Sequence, residues 1–227
     1  MPGNVASTHS LLPGAFWIKL YTLGRQDRTL TKQMTPVQYR AVFLDLNGTL
    51  VLPLLADSPH EYQLISESAE AVTLLCDSGF VCPVITLQSR IEKGIYSETE
   101  FHQWFDSLKS TLEGQGAVVV GPYVCPHRHR TPCACKKPSG LLYRRAAAEL
   151  GIGLAGSFVI GDTGDDLEAA RTLGCRGILV RTGWPVEPDV EVLADHVAEN
   201  VLAAARWIIA STKRPNIGLE PTRPLSV

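Results

Sequence analysis

The chain alternates short apolar segments, rich in valine and isoleucine, with stretches of helical periodicity. Buried parallel strands have such continuous apolar runs because both of their faces are covered. Strands are therefore predicted at residues 41–46, 81–87, 118–124, 158–160 and 177–180. This alternation predicts an α/β fold, in which a parallel sheet carries helices on both faces.

Helices are predicted between and after these strands. They cover about 67–76, a segment that starts at Ser97, 139–150, 165–173 and about 198–210. Ser97 and Glu100 have the spacing of a capping box, in which each side chain accepts from the other's backbone N–H. Gly151 and Gly174 follow the third and fourth helices, where glycine commonly ends a helix.

The length of 227 residues suits one sizeable α/β domain. We predict that this domain covers residues 39–211 and that residues 1–38 form an N-terminal extension. Residues 212–227 contain three prolines and no apolar periodicity, which predicts a disordered tail. Deleting residues 1–33 and 213–227 should therefore change the stability little.

Charge and cysteine use exclude several classes of protein. The net charge is -2 and the 21 basic residues are scattered, so no nucleic-acid partner is expected. No apolar run reaches about 18 residues, so no membrane span is expected. Three of the six cysteines are clustered and the others lie far apart, which fits a reducing cytoplasm better than a disulfide framework. We expect a cytoplasmic monomer.

The segment C-P-H-R-H-R-T-P-C-A-C, residues 125–135, has the composition of a zinc-binding loop. Cys125, His127, Cys133 and Cys135 together make a Cys3His set, and four protein ligands are typical of a closed, structural zinc site. His129 is a rival to His127. The alternative is that the cysteines are free thiols of an intracellular protein.

Polar residues follow the first two predicted strands, where active sites of parallel sheets lie. Asp45 ends the first strand, before a turn that contains Thr49. Thr86, Gln88 and Ser89 end the second strand, and a hydroxyl there can bind an anion or cap a turn. Taken alone, Asp45 equally fits an ordinary strand-to-loop turn.

Three acids follow the fourth predicted strand. Asp162, Asp165 and Asp166 lie within five residues and repel one another unless a cation is present. A hard divalent ion such as Mg²⁺ suits these oxygen ligands. The alternative is that the acids complement the positive N-terminal end of the next helix.

In chain order, the strand ends carry an acid with Gly-Thr, a threonine, Lys-Pro and G-D-x-x-x-D. This order resembles the haloacid dehalogenase (HAD) superfamily of phosphohydrolases over residues 39 to about 210. The cysteine loop, together with R-T-G-W-P at residues 181–185, resembles the branch of D-glycero-D-manno-heptose 1,7-bisphosphate phosphatase and histidinol-phosphatase. The resemblance implies a Rossmann-like HAD fold with a zinc-binding loop and no large cap domain.

The resemblance also implies roles for individual residues. Asp45 would attack phosphorus and form an aspartyl-phosphate, which water then hydrolyses. Mg²⁺ would be held by Asp45, the backbone carbonyl of Asn47 and Asp162, with Asp166 behind them. Thr86 and Lys137 would hold the phosphoryl oxygens. The residues expected to contact the small phosphorylated substrate are Thr49, Gln88, Ser89 and Lys136.

Four positions depart from the family pattern. Asn47 stands where the family has an aspartate that protonates the leaving oxygen, and loss of such a group costs roughly 10²–10⁴-fold in rate. Lys136 replaces an arginine, while Leu87 and Thr163 replace an asparagine and a lysine. Three functions remain open: a heptose bisphosphate phosphatase that Asn47 impairs, a histidinol-phosphate phosphatase, and a catalytically silent domain that binds a phosphorylated metabolite or a protein.

Overall fold

The computed structural model describes residues 38–213. Its strands are β1 (Arg40–Leu44), β2 (Val51–Leu52), β3 (Gln63–Leu64), β4 (Phe80–Val81), β5 (Pro83–Leu87), β6 (Val120–Cys125), β7 (Phe158–Gly161), β8 (Arg176–Val180) and β9 (His196–Ala198). Seven of these strands form a central parallel sheet, in which six lie side by side in the order β6-β5-β1-β7-β8-β9. The seventh, β4, pairs with the first two residues of β1. A separate antiparallel pair joins β2 and β3.

Helices cover both faces of the sheet. They are α1 (Ser68–Asp77), α2 (Ser89–Glu92), α3 (Glu98–Glu113), α4 (Leu141–Leu150), α5 (Gly164–Leu173), α6 (Pro188–Glu191) and α7 (Val201–Lys213). In β1, Val42 and Leu44 pack in the core that includes α1, α3 and α7, whereas Ala41 and Phe43 pack in the core that includes α4 and α5. This alternation is the two-residue period of a strand buried on both faces. The predicted α/β class is confirmed.

Local sequence signals correctly predicted where α3 begins and where α4 and α5 end. Ser97 accepts from the N–H of Glu100, and Glu100 accepts from the N–H of Ser97, so the predicted capping box begins α3. Gly151 (φ 67°) and Gly174 (φ 71°) end α4 and α5 in the left-handed conformation. Glycine adopts that conformation without the steric cost of a side chain.

The shortest secondary-structure elements were not predicted from the sequence. Residues 196–198 form β9, so Ala198, where the last helix was predicted to begin, is a strand residue, and α7 starts at Val201. Residues 212 and 213, assigned to the tail, are the last residues of α7. The other residues of the predicted extension and tail lie outside the described residues, apart from Gln38.

No separate domain is inserted after β1 or after β5 in the described chain. After β1 come the β2–β3 pair and a single 3-10 turn at Pro59–Glu61, and after β5 come α2 and α3. This agrees with the prediction that no large cap domain is present. Among residues 38–213, no helix has the length and apolar character needed to cross a membrane.

Candidate active site

The sheet order brings the polar strand ends together. β5, β1 and β7 are neighbours and parallel, so Thr86, Asp45 and Asp162 lie at the same edge of the sheet. All three are at least nine-tenths buried. They line one cavity of about 280 Å³, as sequence reasoning expected from the carboxyl ends of adjacent strands.

Lys137 lies between two of the buried acids. Its ammonium pairs with Asp45 and, at 2.7 Å, with Asp166. Asp166 also accepts from the Thr163 hydroxyl at 2.6 Å. Burial lowers the pKa of Lys137, but the Asp166 and Asp45 carboxylates outweigh burial and hold that pKa well above its usual range. The lysine therefore carries a permanent positive charge inside the site.

The acids outnumber the cations at this edge, and burial disfavours their charged forms. Burial raises the pKa of Asp45 to about 8, with Asp166 and Asp162 adding to the shift and Lys137 opposing it. Burial also raises the pKa of Asp162 to about 6, which the N–H of Trp184 partly offsets. A cation beside both carboxylates would reverse these shifts. Two carboxylates in one cavity offer hard oxygen donors, which fit Mg²⁺.

Glycines allow the chain to close around Asp162. Gly48 has φ 84°, and a Cβ on Gly48 or Gly183 would overlap the Asp162 carboxylate. The Thr182 hydroxyl donates to the Gly48 carbonyl at 2.5 Å, and Trp184 N–H donates to Asp162 Oδ2 at 3.0 Å. The predicted Gly-Thr turn and the R-T-G-W-P segment therefore enclose the same carboxylate from two sides.

Gln88 joins the site to a buried hydroxyl pair. Its Nε2 donates to Asn47 Oδ1 at 2.8 Å and to Thr86 Oγ1 at 2.9 Å. Its Oε1 accepts from the Tyr96 hydroxyl at 2.7 Å, which lies 3.4 Å from the Tyr62 hydroxyl. Asn47 Nδ2 is buried and has no protein partner among the described residues. An unpaired buried donor costs about 1–3 kcal/mol.

The cysteine loop gathers four metal ligands. One ligand atom each from Cys125, His127, Cys133 and Cys135 lies within 4.8 Å of the others. His127 Nδ1 is 3.2 Å from Cys135 Sγ, and Cys125 Sγ is 3.8 Å from Cys133 Sγ. Such separations fit a tetrahedron with Zn–S distances of about 2.3 Å. The structure selects His127 over His129, which lines the cavity instead.

Glu92 of α2 fixes the loop from outside. Its carboxylate accepts from the backbone N–H of Arg128 and from the Thr131 hydroxyl at 2.9 Å. The hydrogen bond from the Arg128 N–H lowers the pKa of Glu92, so this acid stays charged. The cysteine loop therefore has a fixed position relative to Gln88 and Ser89, which lie four and three residues before Glu92.

Two predicted substrate contacts are not among the described residues that line the cavity. Thr49 is fully buried, and its hydroxyl has no partner in the described chain. Lys136 donates to the backbone carbonyls of His129, at 2.5 Å, and Thr131, at 3.0 Å. Its role here is to brace the cysteine loop. Gln88 and Ser89 do line the cavity.

Sequence reasoning missed part of the cavity wall. Arg90 in α2, Lys93 directly after α2, Trp184 after β8, and Leu54 and Leu55 after β2 contribute to it. Trp184 belongs to the R-T-G-W-P segment, although sequence reasoning assigned it no role in the site, and no motif marks the other four residues. Of these four, only Arg90 and Lys93 carried a signal, as cations one turn apart beside the polar end of β5.

Comparison with known proteins agrees with this geometry. A family model described as HAD-hydrolase-like matches residues 134–204. A relative from Haemophilus ducreyi is 34% identical over 178 residues, which are 74% of this chain and 98% of that one. A relative from Escherichia coli K12 is 32% identical over 187 residues, covering 77% and 96%. The chain belongs to the HAD-like hydrolase family and is a phosphatase of that class.

Both relatives are D-glycero-beta-D-manno-heptose-1,7-bisphosphate 7-phosphatases. The crystal structure of a D,D-heptose 1,7-bisphosphate phosphatase from B. bronchiseptica, complexed with magnesium and phosphate, superposes with a TM-score of 0.68. That protein is 27% identical and covers 76% of this chain and 99% of its own. The resemblance predicted from the strand-end residues is confirmed.

Proposed function

We propose that this protein is a Mg²⁺-dependent phosphatase of a small phosphorylated sugar, such as a heptose bisphosphate. One observation carries the proposal. Asp45, Thr86, Lys137 and Asp162 converge in one buried cavity, in a chain 34% identical to a heptose bisphosphate phosphatase. A buried nucleophilic acid, a second acid that can bind a cation and one fixed lysine suit the transfer of a doubly charged phosphoryl group.

Asp45, Asp162 and the backbone carbonyl of Asn47 would hold the metal. When bound, Mg²⁺ supplies Lewis acidity that neutralises charge on the phosphoryl oxygens. The raised pKa values of Asp45 and Asp162 support this assignment, because both carboxyls lack sufficient counter-charge from the protein alone. Asp166 is engaged by Lys137 and Thr163, which supports a role behind the metal ligands.

Asp45 would act as the nucleophile. Its carboxylate attacks phosphorus, the P–O bond to the sugar breaks, and an aspartyl-phosphate forms. Water then attacks that phosphorus, releases phosphate and regenerates the carboxylate. Lys137 and Thr86 would hold phosphoryl oxygens throughout, and the pairing of Lys137 with Asp166 keeps its ammonium in place.

Asn47 determines which leaving groups are accepted. An amide does not give up a proton at neutral pH, so a poor alkoxide leaving group receives no proton from residue 47. We expect slow hydrolysis of alkyl phosphates and faster hydrolysis of activated ones. The metal role of residue 47 uses its backbone carbonyl, which is the same in asparagine and aspartate.

The basic residues of the cavity support a substrate with a second anionic group. Arg90, Lys93 and His129 line the cavity, together with the apolar side chains of Leu55 and Trp184. Arg90 pairs with Asp57 at 3.0 Å, while its Nε is buried without a protein partner in the described chain. A second phosphate would supply that partner.

Asn47 also favours a second candidate, a catalytically silent domain that binds a phosphorylated metabolite. The intact set of Asp45, Thr86, Lys137 and Asp162 argues against it, since binding alone does not require a nucleophile. Monomeric state and cytoplasmic location remain predictions from the sequence.

A phosphatase screen over sugar and amino-alcohol phosphates with Mg²⁺ tests the proposal, with the native protein beside Asn47→Asp. We expect hydrolysis of a sugar phosphate that depends on Mg²⁺ and is faster in Asn47→Asp. Binding of these compounds without turnover by either protein would favour the silent domain.

A further inference from the structure

The Gln88 amide is fixed at both of its ends. Its two N–H groups donate to Asn47 Oδ1 and Thr86 Oγ1, and its carbonyl oxygen accepts from Tyr96. Gln88 is 2% exposed, so water does not compete for these bonds. Burial raises the pKa of Tyr96 above its ordinary range, which keeps its hydroxyl protonated and available as a donor.

The orientation of Gln88 dictates that of Asn47. Because Gln88 holds Asn47 Oδ1, the amide nitrogen is the terminal atom of Asn47 that stays available to another group, and Asn47 is one of the residues that line the cavity. That nitrogen is the buried donor without a protein partner. Buried donors are nearly always paired, so this one indicates a bound acceptor.

We propose that Gln88 is a positioning residue that turns the Asn47 amide nitrogen toward the phosphate subsite, where Asn47 donates a hydrogen bond to a phosphoryl oxygen. The inference rests on the proposed function for the location of that subsite. Residue 47 then contributes to phosphate binding although it cannot transfer a proton. A hydrogen bond from the Asn47 amide to a charged oxygen changes affinity by on the order of tenfold.

A double-mutant cycle tests the proposal with inorganic phosphate as the probe. The dissociation constant is measured calorimetrically at saturating Mg²⁺ for the native protein, Gln88→Met, Asn47→Ala and the double variant. Gln88→Met removes both N–H donors and adds no charge. We expect each single variant to bind phosphate about tenfold more weakly, and the double variant to bind no more weakly than Asn47→Ala, because Gln88 acts through Asn47.

Two further variants keep the test decisive. Tyr96→Phe removes the donor that fixes Gln88 and should weaken phosphate binding by a smaller factor. Gln103→Met, on the exposed side of α3, should bind phosphate as the native protein does. If Gln88→Met does not fold, Tyr96→Phe decides the question.

Native affinity in both Gln88→Met and Tyr96→Phe would overturn the proposal. So would an equal loss from Gln88→Met in the native and Asn47→Ala backgrounds, since that would show an effect independent of Asn47. Phosphate binding requires no turnover. A protein that shows the expected cycle but hydrolyses no ester would therefore support this inference and refute the proposed catalysis.

Discussion

At the scale of single residues, charge balance governs the candidate site. Three buried acids, Asp45, Asp162 and Asp166, face one buried lysine, Lys137. Each acid depends on a specific partner: Lys137 for Asp45 and Asp166, and the Trp184 N–H for Asp162. When all three acids are ionised, two negative charges are left unbalanced, which suits the binding of a divalent metal.

Replacing Lys137 tests this balance. Lys137→Met should lower the free energy of unfolding by about 3–5 kcal/mol, because it leaves two buried carboxyls without their counter-charge. Urea denaturation without Mg²⁺ measures the change. Lys136→Met is the neighbouring control and should cost about 1 kcal/mol, since Lys136 binds only loop carbonyls. Equal effects of the two substitutions would contradict the assignment.

At the scale of elements, the cysteine loop links the edge strand β6 to the active site. Cys125 ends β6, and Lys137 follows Cys135 by two residues, so a metal in the cluster would fix the chain just before Lys137. Glu92 attaches the same loop to α2. The cysteine loop therefore connects α2 to the segment that carries Lys137.

Purified protein should contain about one Zn²⁺ per chain without added metal, because the ligand set closes a tetrahedral site. Binding energy at such a site adds to folding energy, so a strong chelator should lower the melting temperature. Metal analysis and thermal melting measure both. Absence of zinc from freshly purified, reduced protein would contradict the assignment.

The short helix α2 carries the proposed second anion site. Arg90→Gln should raise KM for a sugar bisphosphate by on the order of tenfold and leave KM for a sugar monophosphate within about twofold, since only the bisphosphate would lose a charged hydrogen bond. Steady-state kinetics with both substrates measure the difference. Equal changes in the two KM values would remove Arg90 from substrate selection.

At the scale of the whole molecule, periodicity predicted the sheet because its central strands are continuous apolar runs. It did not predict β9 or the β2–β3 pair, because strands of two or three residues carry no period. The position of Asp45, Thr86 and Asp162 at the ends of strands correctly predicted that these residues lie close together. The bonds among Gln88, Asn47 and Tyr96 could not be predicted, because Asn47 is 41 residues from Gln88 and tertiary packing alone makes them neighbours.

Domain limits remain a prediction at this scale. Deleting residues 1–33 and 214–227, which leaves α7 whole, should shift the melting temperature by no more than a few degrees, since neither segment has apolar periodicity. Thermal melting of the truncated and full chains checks it. Loss of soluble protein on deleting residues 1–33 would show that this segment packs on the domain.

The central claim is that Asp45 is a nucleophile working beside a residue that cannot transfer a proton. Its most direct test is the Mg²⁺-dependent hydrolysis of an alkyl phosphate and of p-nitrophenyl phosphate by the native protein, Asn47→Asp and Asp45→Asn. Restored acid catalysis in Asn47→Asp should raise the alkyl phosphate rate on the order of 10²-fold or more, and the nitrophenyl rate far less, since nitrophenolate leaves without a proton. Asp45→Asn should abolish both activities. No gain in Asn47→Asp, together with unchanged background rates in Asp45→Asn, would contradict the account and favour a phosphate-binding domain without catalysis.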